Sequence, residues 1–324
     1  RSLEDGTPSV MTAMAKYHAT ELMRTLVNHG MDVVGGRGIQ LGPRNFLAAG
    51  YHALPVAITV EGANILTRSL MIFGQGAMRC HPYLFDEMQT LEAKEEHEGL
   101  RAFEPLLMSH LGHAGSNFAR LLMLGLSGAH FSGVPSGADD FSKRWYQRIN
   151  HLSAALAICA DVALGVLGGD LKRRELLSAR LGDLHSQLLI ASSLLKFHAT
   201  QPRSKEADAH AAYALQRSLH LAQEALIAYC ANFQPRALGL ALRALCLPLG
   251  RIYPAPNDAM VRDLGDLIMA PNPVRGTLSE RVYLSVDPED AVGRVESTYQ
   301  MLLAVEKPFV ALQKAWSKGE LEAG

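Results

Sequence analysis

Apolar residues recur at alternating spacings of three and four through much of the second half of the chain. This spacing places them along one face of an α-helix. Four such seams occupy residues 145–166, 177–195, 215–233 and 295–316. Gly168 and Gly169 follow the first seam, and glycine readily adopts the left-handed backbone that ends a helix. Four amphipathic helices of this length predict a helical bundle in the second half.

The first half also has a helical pattern, and the fold class predicted for the whole chain is all-α. One helix is predicted over residues 8–34, ending at Gly35. A loop is expected to follow, with Pro43 and Pro55 as helix breakers. The next helix is predicted to begin after Gly62 and to continue to about residue 76. Its apolar residues occupy nearly all of its faces, so we expect the helix to be buried. Residues 56–60 are the only patch rich in β-branched side chains.

Length and charge narrow the class of protein. The chain has 324 residues, of which 48% are hydrophobic, so two domains are expected rather than one small core. The 31 basic and 32 acidic side chains nearly balance and do not cluster, which argues against a nucleic-acid-binding surface. The chain starts at Arg1 rather than Met, so we expect residues before it in the native protein.

Cysteines and hydropathy point to a cytoplasmic protein. The four cysteines are far apart and have apolar neighbours, which is typical of reduced, buried thiols: Cys80, Cys159, Cys230 and Cys246. The run nearest to the roughly 18 apolar residues of a membrane span covers residues 237–249, and Arg243 and Pro248 interrupt it. Docking of this run on the surface of the inner membrane remains open as an alternative.

Two short motifs are candidates for chemistry. Gly35-Gly36-Arg37-Gly38 ends the first helix, and Val60-Glu61-Gly62 precedes the second. Each motif alone is typical of ordinary helix termini. Glu61, however, has apolar neighbours on both sides in sequence, and a carboxylate that loses solvation has a raised pKa, as a general base requires. Gly62 would allow a ligand to approach the backbone closely.

These motifs resemble the C-terminal domain of acyl-CoA dehydrogenases. Residues 32–38 are similar to the family motif Q-I-x-G-G-x-G, and residues 61–68 are similar to E-G-T-x-x-I-x-R. Further segments resemble the long C-terminal extension of the proteobacterial fatty-acid β-oxidation enzymes of the FadE type: HPYLFDEM, HLGHAGSN, LGGDLKRRELLSARLGD and LPLGRIYPAPND. The resemblance covers nearly all of the chain. It implies an acyl-CoA dehydrogenase helical domain over residues 1–85 and an appended all-α extension over residues 86–324.

The resemblance also implies the reaction and the residues that serve it. Glu61 would remove the α-proton of an acyl-CoA thioester while the β-hydrogen leaves as a hydride to N5 of FAD. The backbone N–H of Glu61 and a flavin hydroxyl would polarise the thioester carbonyl. Electrons would pass to an electron-transfer flavoprotein. Val60 and Gly62 would contact the substrate, and the residues expected against FAD are Gly35, Gly36, Arg37, Gly38 and Gly62.

Departures from the family pattern leave alternatives open. Asp32 replaces the usual Gln, and Ala63 replaces the usual Thr that touches the cofactor. Arg68 matches the motif arginine, and a structural ion pair and a cofactor contact are equally compatible with it. Electron transfer to oxygen, as in an acyl-CoA oxidase, is the alternative reaction. A non-catalytic module for self-association or membrane docking is the alternative of another class.

The resemblance also bears on the activity of the isolated chain, and the sequence contains one pair of closely spaced histidines. The family has a helical domain and a β domain before this segment, so the chain by itself is expected to lack turnover. His110 and His113 lie three residues apart, but a zinc site needs more ligands and their sequence neighbours offer none. We therefore assign them to packing at a glycine-rich helix crossing and predict no metal site.

Overall fold

A computed structural model describes residues 10–77, 81–92, 95–285 and 287–320, and within these ranges it contains helices and no strands. The predicted all-α fold class is therefore confirmed. The predicted helix start at Pro8, together with Cys80, lies outside the described residues.

The first half forms four helical segments and a short 3₁₀ turn. Helix α1 spans Met11–Val34 and passes directly into the 3₁₀ turn, Gly35–Ile39. Helix α2 spans Ala48–Thr59, and the short α3 spans Asn64–Leu66. Helix α3 continues as a π-helix over Thr67–Gln75. Such π-helical stretches are rare and frequently occur at functional sites.

The second half is built from longer helices. In chain order they are α4 (Leu84–Leu91), α5 (Glu96–Leu126), α6 (Asp140–Leu167), α7 (Glu175–Thr200), α8 (Lys205–Asn232), α9 (Arg236–Cys246), α10 (Asp258–Met269), α11 (Pro273–Ser279) and α12 (Ala291–Ser317). A 3₁₀ turn, Gly168–Arg173, joins α6 to α7. Three of the long helices begin at side-chain caps, in which Asp139, Ser204 and Asp290 accept hydrogen bonds from N–H groups of the first turn.

The loop predicted around Pro55 is wrong, because residues 48–59 form helix α2. Pro55 lies inside this helix and removes one of its backbone hydrogen bonds. The β-branched patch lies in the last turns of the same helix, where the Thr59 hydroxyl donates to the carbonyl of Pro55. Helix propensity is a weak preference, and the surrounding alanine and leucine residues favour the helix despite the proline.

The chain divides into two compact units, each formed from separated stretches of sequence. The bundle unit comprises Arg1–His18 and Glu61–Gly276, and the flanking unit comprises Ala19–Val60 and Thr277–Gly324. The two units are defined by contacts between residues of this chain, not by family domains. The domain boundary expected between residues 85 and 86 stays a prediction.

The core of the bundle unit is built by three of the four predicted seams. The seams of α7 and α8 are buried throughout, and that of α6 buries Trp145, Ile149, Leu152, Cys159 and Ala163. Helix α9 closes one side of this core with Leu242 and Cys246. The buried cysteines Cys159, Cys230 and Cys246 are free thiols, as predicted.

The fourth seam is helical but does not enter this core. It lies on α12 in the flanking unit, and most of its apolar residues are more than half exposed, including Val295, Leu302, Phe309 and Trp316. Periodicity identifies an amphipathic helix but not the surface that it packs against. The core of the predicted bundle therefore contains three of the four seams.

Among the described residues, hydropathy by itself selects one helical segment as long and apolar enough to cross a membrane, Asp140–Arg173. The bent pair Ala48–Thr59 and Asn64–Gln75 meets the same criterion if the two helices are taken as one span. The segment Asp140–Arg173 comprises α6 and the 3₁₀ turn after it, and its apolar seam forms part of the bundle core. Residues 237–249 lie largely on α9, which buries Leu242 and Cys246 and exposes Leu240 and Leu249. An interior helix of a bundle meets the same criterion of length and hydropathy.

Gly239 on α9 provides a test of the packing between α9 and α8. A Cβ atom at this position would overlap the carbonyl oxygen of Cys230 and lie 3.2 Å from that of Phe233. We expect Gly239→Ala to lower the free energy of unfolding by about 1–3 kcal/mol, because the backbone must move apart. Urea denaturation would measure the change.

Gly165 is the matched control, since it lies within α6 and nothing lies within 4 Å of its Cβ position. Gly165→Ala should raise stability by roughly 0.5–1 kcal/mol, because alanine is the better helix former. Equal effects of the two substitutions would contradict the close packing of α9 on α8.

Candidate functional site

The turn that carries Glu61 has an unusual backbone. Helix α2 ends at Thr59, and Val60 is extended (φ −85°, ψ 159°). Glu61 then has φ +53° and Gly62 has φ +92°. Left-handed backbone is uncommon for a residue with a Cβ atom, and it occurs preferentially at active sites, where the surrounding structure enforces it.

Two side chains of the bundle unit hold this turn in place. The Lys16 ammonium donates to the Gly62 carbonyl at 2.9 Å and to Oδ1 of the buried Asn64 at 2.8 Å. The Thr67 hydroxyl donates to the same Gly62 carbonyl at 3.3 Å. These contacts fix the Gly62–Ala63 peptide, one residue after Glu61. Sequence reasoning missed Lys16, which lies 46 residues away from Gly62.

The surroundings of Glu61 differ from the prediction. Glu61 is exposed, as are Ile65 and Leu66 just after it. The helix that follows buries its apolar side chains only from Ile72 and Phe73 onward. The expected burial of Glu61 and of the start of this helix is therefore wrong for the chain. Residues that are adjacent in sequence bury a side chain only if the tertiary structure packs them against it.

The glycine-rich segment lies in the flanking unit and forms the 3₁₀ turn after α1. Gly35 has φ +56°, a conformation that favours glycine. Asn45 stabilises the turn, because its side-chain amide donates to the carbonyls of Arg37, Gly38 and Gln40 at 2.9–3.0 Å. Asn45 is a second residue that sequence reasoning missed.

The surface of this turn is exposed and leaves room for a ligand. No atom lies within 4 Å of the Cβ positions of Gly35 and Gly36, so their backbone is open to a ligand. Arg37 is exposed and offers a cation to a diphosphate. Gly38 is buried for another reason, since a Cβ atom there would lie 2.9 Å from Cε of Met31.

The remaining predicted residues fall in both units. Val60 lies in the flanking unit and is 47% exposed, whereas Glu61 and Gly62 lie in the bundle unit. Arg68 forms an ion pair, in which Nε and Nη2 donate to the two oxygens of Asp183 at 2.8 and 2.5 Å. This hydrogen bonding raises the pKa of Arg68. Of the two roles open for Arg68, the structure supports the ion pair between the π-helix and α7.

The two histidines of α5 both contact the ring of Tyr83, but they have different hydrogen-bond neighbours. His113 Nε2 lies 2.9 Å from Nδ2 of Asn117. His110 instead meets residues of other elements, namely His81, Glu87 and Asp161. The expected glycine-rich helix crossing is not observed, because nothing lies within 4 Å of the Cβ positions of Gly112 and Gly115.

The chain is thus an all-helical protein with a left-handed glutamate turn and a separate open glycine turn. The model of the family "Acyl-CoA dehydrogenase, C-terminal, bacterial type" matches residues 78–324, about three quarters of the chain, and the chain belongs to this family. The match begins after the segment that contains Glu61. No solved structure matches the chain.

Proposed function

We propose that this chain is the C-terminal part of an FAD-dependent acyl-CoA dehydrogenase of fatty-acid β-oxidation. Its reaction would convert a medium- or long-chain acyl-CoA to the trans-2-enoyl-CoA. The observation that carries the proposal is membership of the acyl-CoA dehydrogenase C-terminal family. The Glu61 turn adds support through its backbone, because Glu61 is left-handed and precedes a glycine whose carbonyl is fixed by Lys16 and Thr67.

Glu61 would act as the general base. Its exposed carboxylate is accessible to a substrate, and its left-handed backbone sets the direction of the side chain. It would take the α-proton of the thioester, and its backbone N–H would donate to the thioester carbonyl and stabilise the developing negative charge. Lys16 and Thr67 would act as positioning residues, since both donate to the carbonyl of the Gly62–Ala63 peptide.

Gly35, Gly36, Arg37 and Gly38 of the flanking unit would lie against a cofactor, and Gly62 of the bundle unit is a candidate for cofactor contact in its own right. When bound, FAD supplies the acceptor for the hydride that leaves the substrate β-carbon. Asn45 would keep the glycine turn in shape by binding three of its carbonyls. The partner that receives the electrons would be an electron-transfer flavoprotein, and a cytoplasmic location accords with such a partner.

Reduction and reoxidation of the flavin in the complete enzyme would test this function. Under anaerobic conditions, acyl-CoA should bleach the flavin absorbance, and an electron-transfer flavoprotein should restore it. Air alone should restore it much more slowly. Rapid reoxidation in air with release of hydrogen peroxide would instead indicate an acyl-CoA oxidase. Absence of bleaching with acyl-CoA of any chain length would contradict both enzymes.

A further inference from the structure

Three elements of the bundle unit bring two imidazoles and a carboxylate together, away from the Glu61 turn. His81 precedes α4, His110 lies on α5 and Asp161 lies on α6. Nε2 of His81 lies 3.0 Å from Oδ1 of Asp161, and Nε2 of His110 lies 3.8 Å from the same oxygen. One ligand atom from each residue lies within 4.8 Å of the others.

These separations suit three ligands of one ion. Ligand atoms bound about 2.0–2.2 Å from a tetrahedral metal lie roughly 3.4 Å from one another. The two separations, 3.0 and 3.8 Å, bracket that value. Imidazole nitrogen combined with carboxylate oxygen is a donor set that suits Zn²⁺ and related transition metals. We propose that His81, His110 and Asp161 bind a divalent transition-metal ion, for which Zn²⁺ is the probe of choice.

Glu87 orients the imidazole of His110 for metal binding. Its Oε1 lies 2.8 Å from Nδ1 of His110, and the Glu87 side chain is buried. The carboxylate accepts the Nδ1 hydrogen, so Nε2 keeps its lone pair on the side of Asp161. A carboxylate behind a ligating imidazole fixes the tautomer and the ring orientation, and it makes the nitrogen a stronger ligand.

Asp161 has a second carboxylate oxygen that could also serve the ion. Its Oδ2 is buried and has no hydrogen-bond partner among the described residues, while Oδ1 faces the two imidazoles. A buried carboxylate oxygen without a donor is costly, because it has lost its hydration. A metal ion, or a water molecule bound to it, would remove that cost.

His81 must exchange a proton to become a ligand. Its Nδ1 accepts from the N–H groups of Tyr83 and Leu84 at 3.3 and 3.1 Å, at the start of α4. Without metal, its Nε2–H therefore donates to Asp161. Coordination through Nε2 moves the hydrogen to Nδ1, so the two N–H groups lose their acceptor. We expect this loss to keep the ion exchangeable, so that a chelator removes it.

The ion would retain an open coordination position. A cavity of about 210 Å³ borders His81 and Asp161 and has largely apolar walls that include Phe73 and Leu156. Three protein ligands leave a fourth position of a tetrahedral ion for water or another small ligand. The arrangement is therefore that of an ion accessible from a cavity rather than one enclosed by four protein ligands.

Metal titration of the 324-residue chain tests the site. After treatment with a chelator, Zn²⁺ binding is measured by calorimetry, and Co²⁺ binding is measured from its visible absorption. We expect one ion per chain. Asp161→Asn should abolish binding, and Glu87→Gln should weaken it about 10–100-fold through His110. Circular dichroism and gel filtration would establish that each variant is folded.

His97→Ala is the matched control, because His97 is an exposed histidine on the same helix as His110. It should bind the ion as the parent does. Failure of the parent chain to bind Zn²⁺ would overturn the proposal. Equal affinity of the parent, Asp161→Asn and Glu87→Gln would also overturn it, since the ion would then be bound elsewhere, for example by the cysteines. These outcomes do not depend on flavin or acyl-CoA, so they are distinct from a failure of the proposed function.

Discussion

Replacing Glu61 by Gln in the complete enzyme is expected to leave FAD bound and to slow flavin bleaching by acyl-CoA by about 10²–10⁴-fold. Glutamine has nearly the same size and retains the backbone N–H, but its amide cannot accept the α-proton. Anaerobic stopped-flow measurement of the flavin absorbance would give the rate. The flavin spectrum before mixing would report whether the cofactor is still bound.

A surface carboxylate elsewhere in the chain gives the control. Glu98 is exposed and lies on α5, outside the Glu61 turn, so Glu98→Gln should bleach at the parent rate. Bleaching of Glu61→Gln at the parent rate would remove Glu61 from the role of base. That result would leave membership of the family intact, because the matched residues begin at position 78.

Acidification is expected to destabilise the bundle through His151. This residue is fully buried on α6, where its Nε2–H donates to the Cys246 carbonyl at 2.9 Å and its Nδ1 accepts from the Tyr253 hydroxyl at 2.6 Å. Both contacts suit the neutral ring. Burial lowers the pKa of His151 from 6.5 to about 4, against an opposing effect of the hydrogen bond to Cys246.

The direction of the pH dependence follows from these pKa values. Between pH 6.5 and 4 the unfolded chain binds a proton at His151 and the folded chain does not. The contribution of His151 to the free energy of unfolding is therefore present in full above pH 6.5 and decreases as the pH falls toward 4. The difference in pKa corresponds to a loss of about 3 kcal/mol over this window. Urea denaturation across the window would measure it.

The variant His151→Gln separates this effect from that of other titrating groups. It should be less stable than the parent at neutral pH, because its contacts with Cys246 and Tyr253 are impaired, yet lose less stability on acidification. His52→Gln, at an exposed position, should keep the parent's pH dependence. If the parent and His151→Gln lost the same stability between pH 6.5 and 4, His151 would not be the cause.

Much of the secondary structure is predictable from local sequence. The seams of α6, α7 and α8 repeat every three or four residues, and their burial confirms the predicted helix faces. The glutamate and glycine motifs were also identified from short stretches. Side chains that hold these motifs were not predicted, since Lys16 and Asn45 are ordinary polar residues in a helix and a loop.

The sequence by itself determined the helical class, the family resemblance and the positions of Glu61 and the glycine turn, because each depends on residues close together in the chain. Tertiary structure alone decided which faces are covered. It exposes the seam of α12 and Glu61, and it brings His81 to Asp161 across 80 residues of sequence. Burial and ligand geometry depend on contacts between segments that are distant in sequence. Hydrophobic periodicity predicts the apolar face of a helix but not the segment that packs against it.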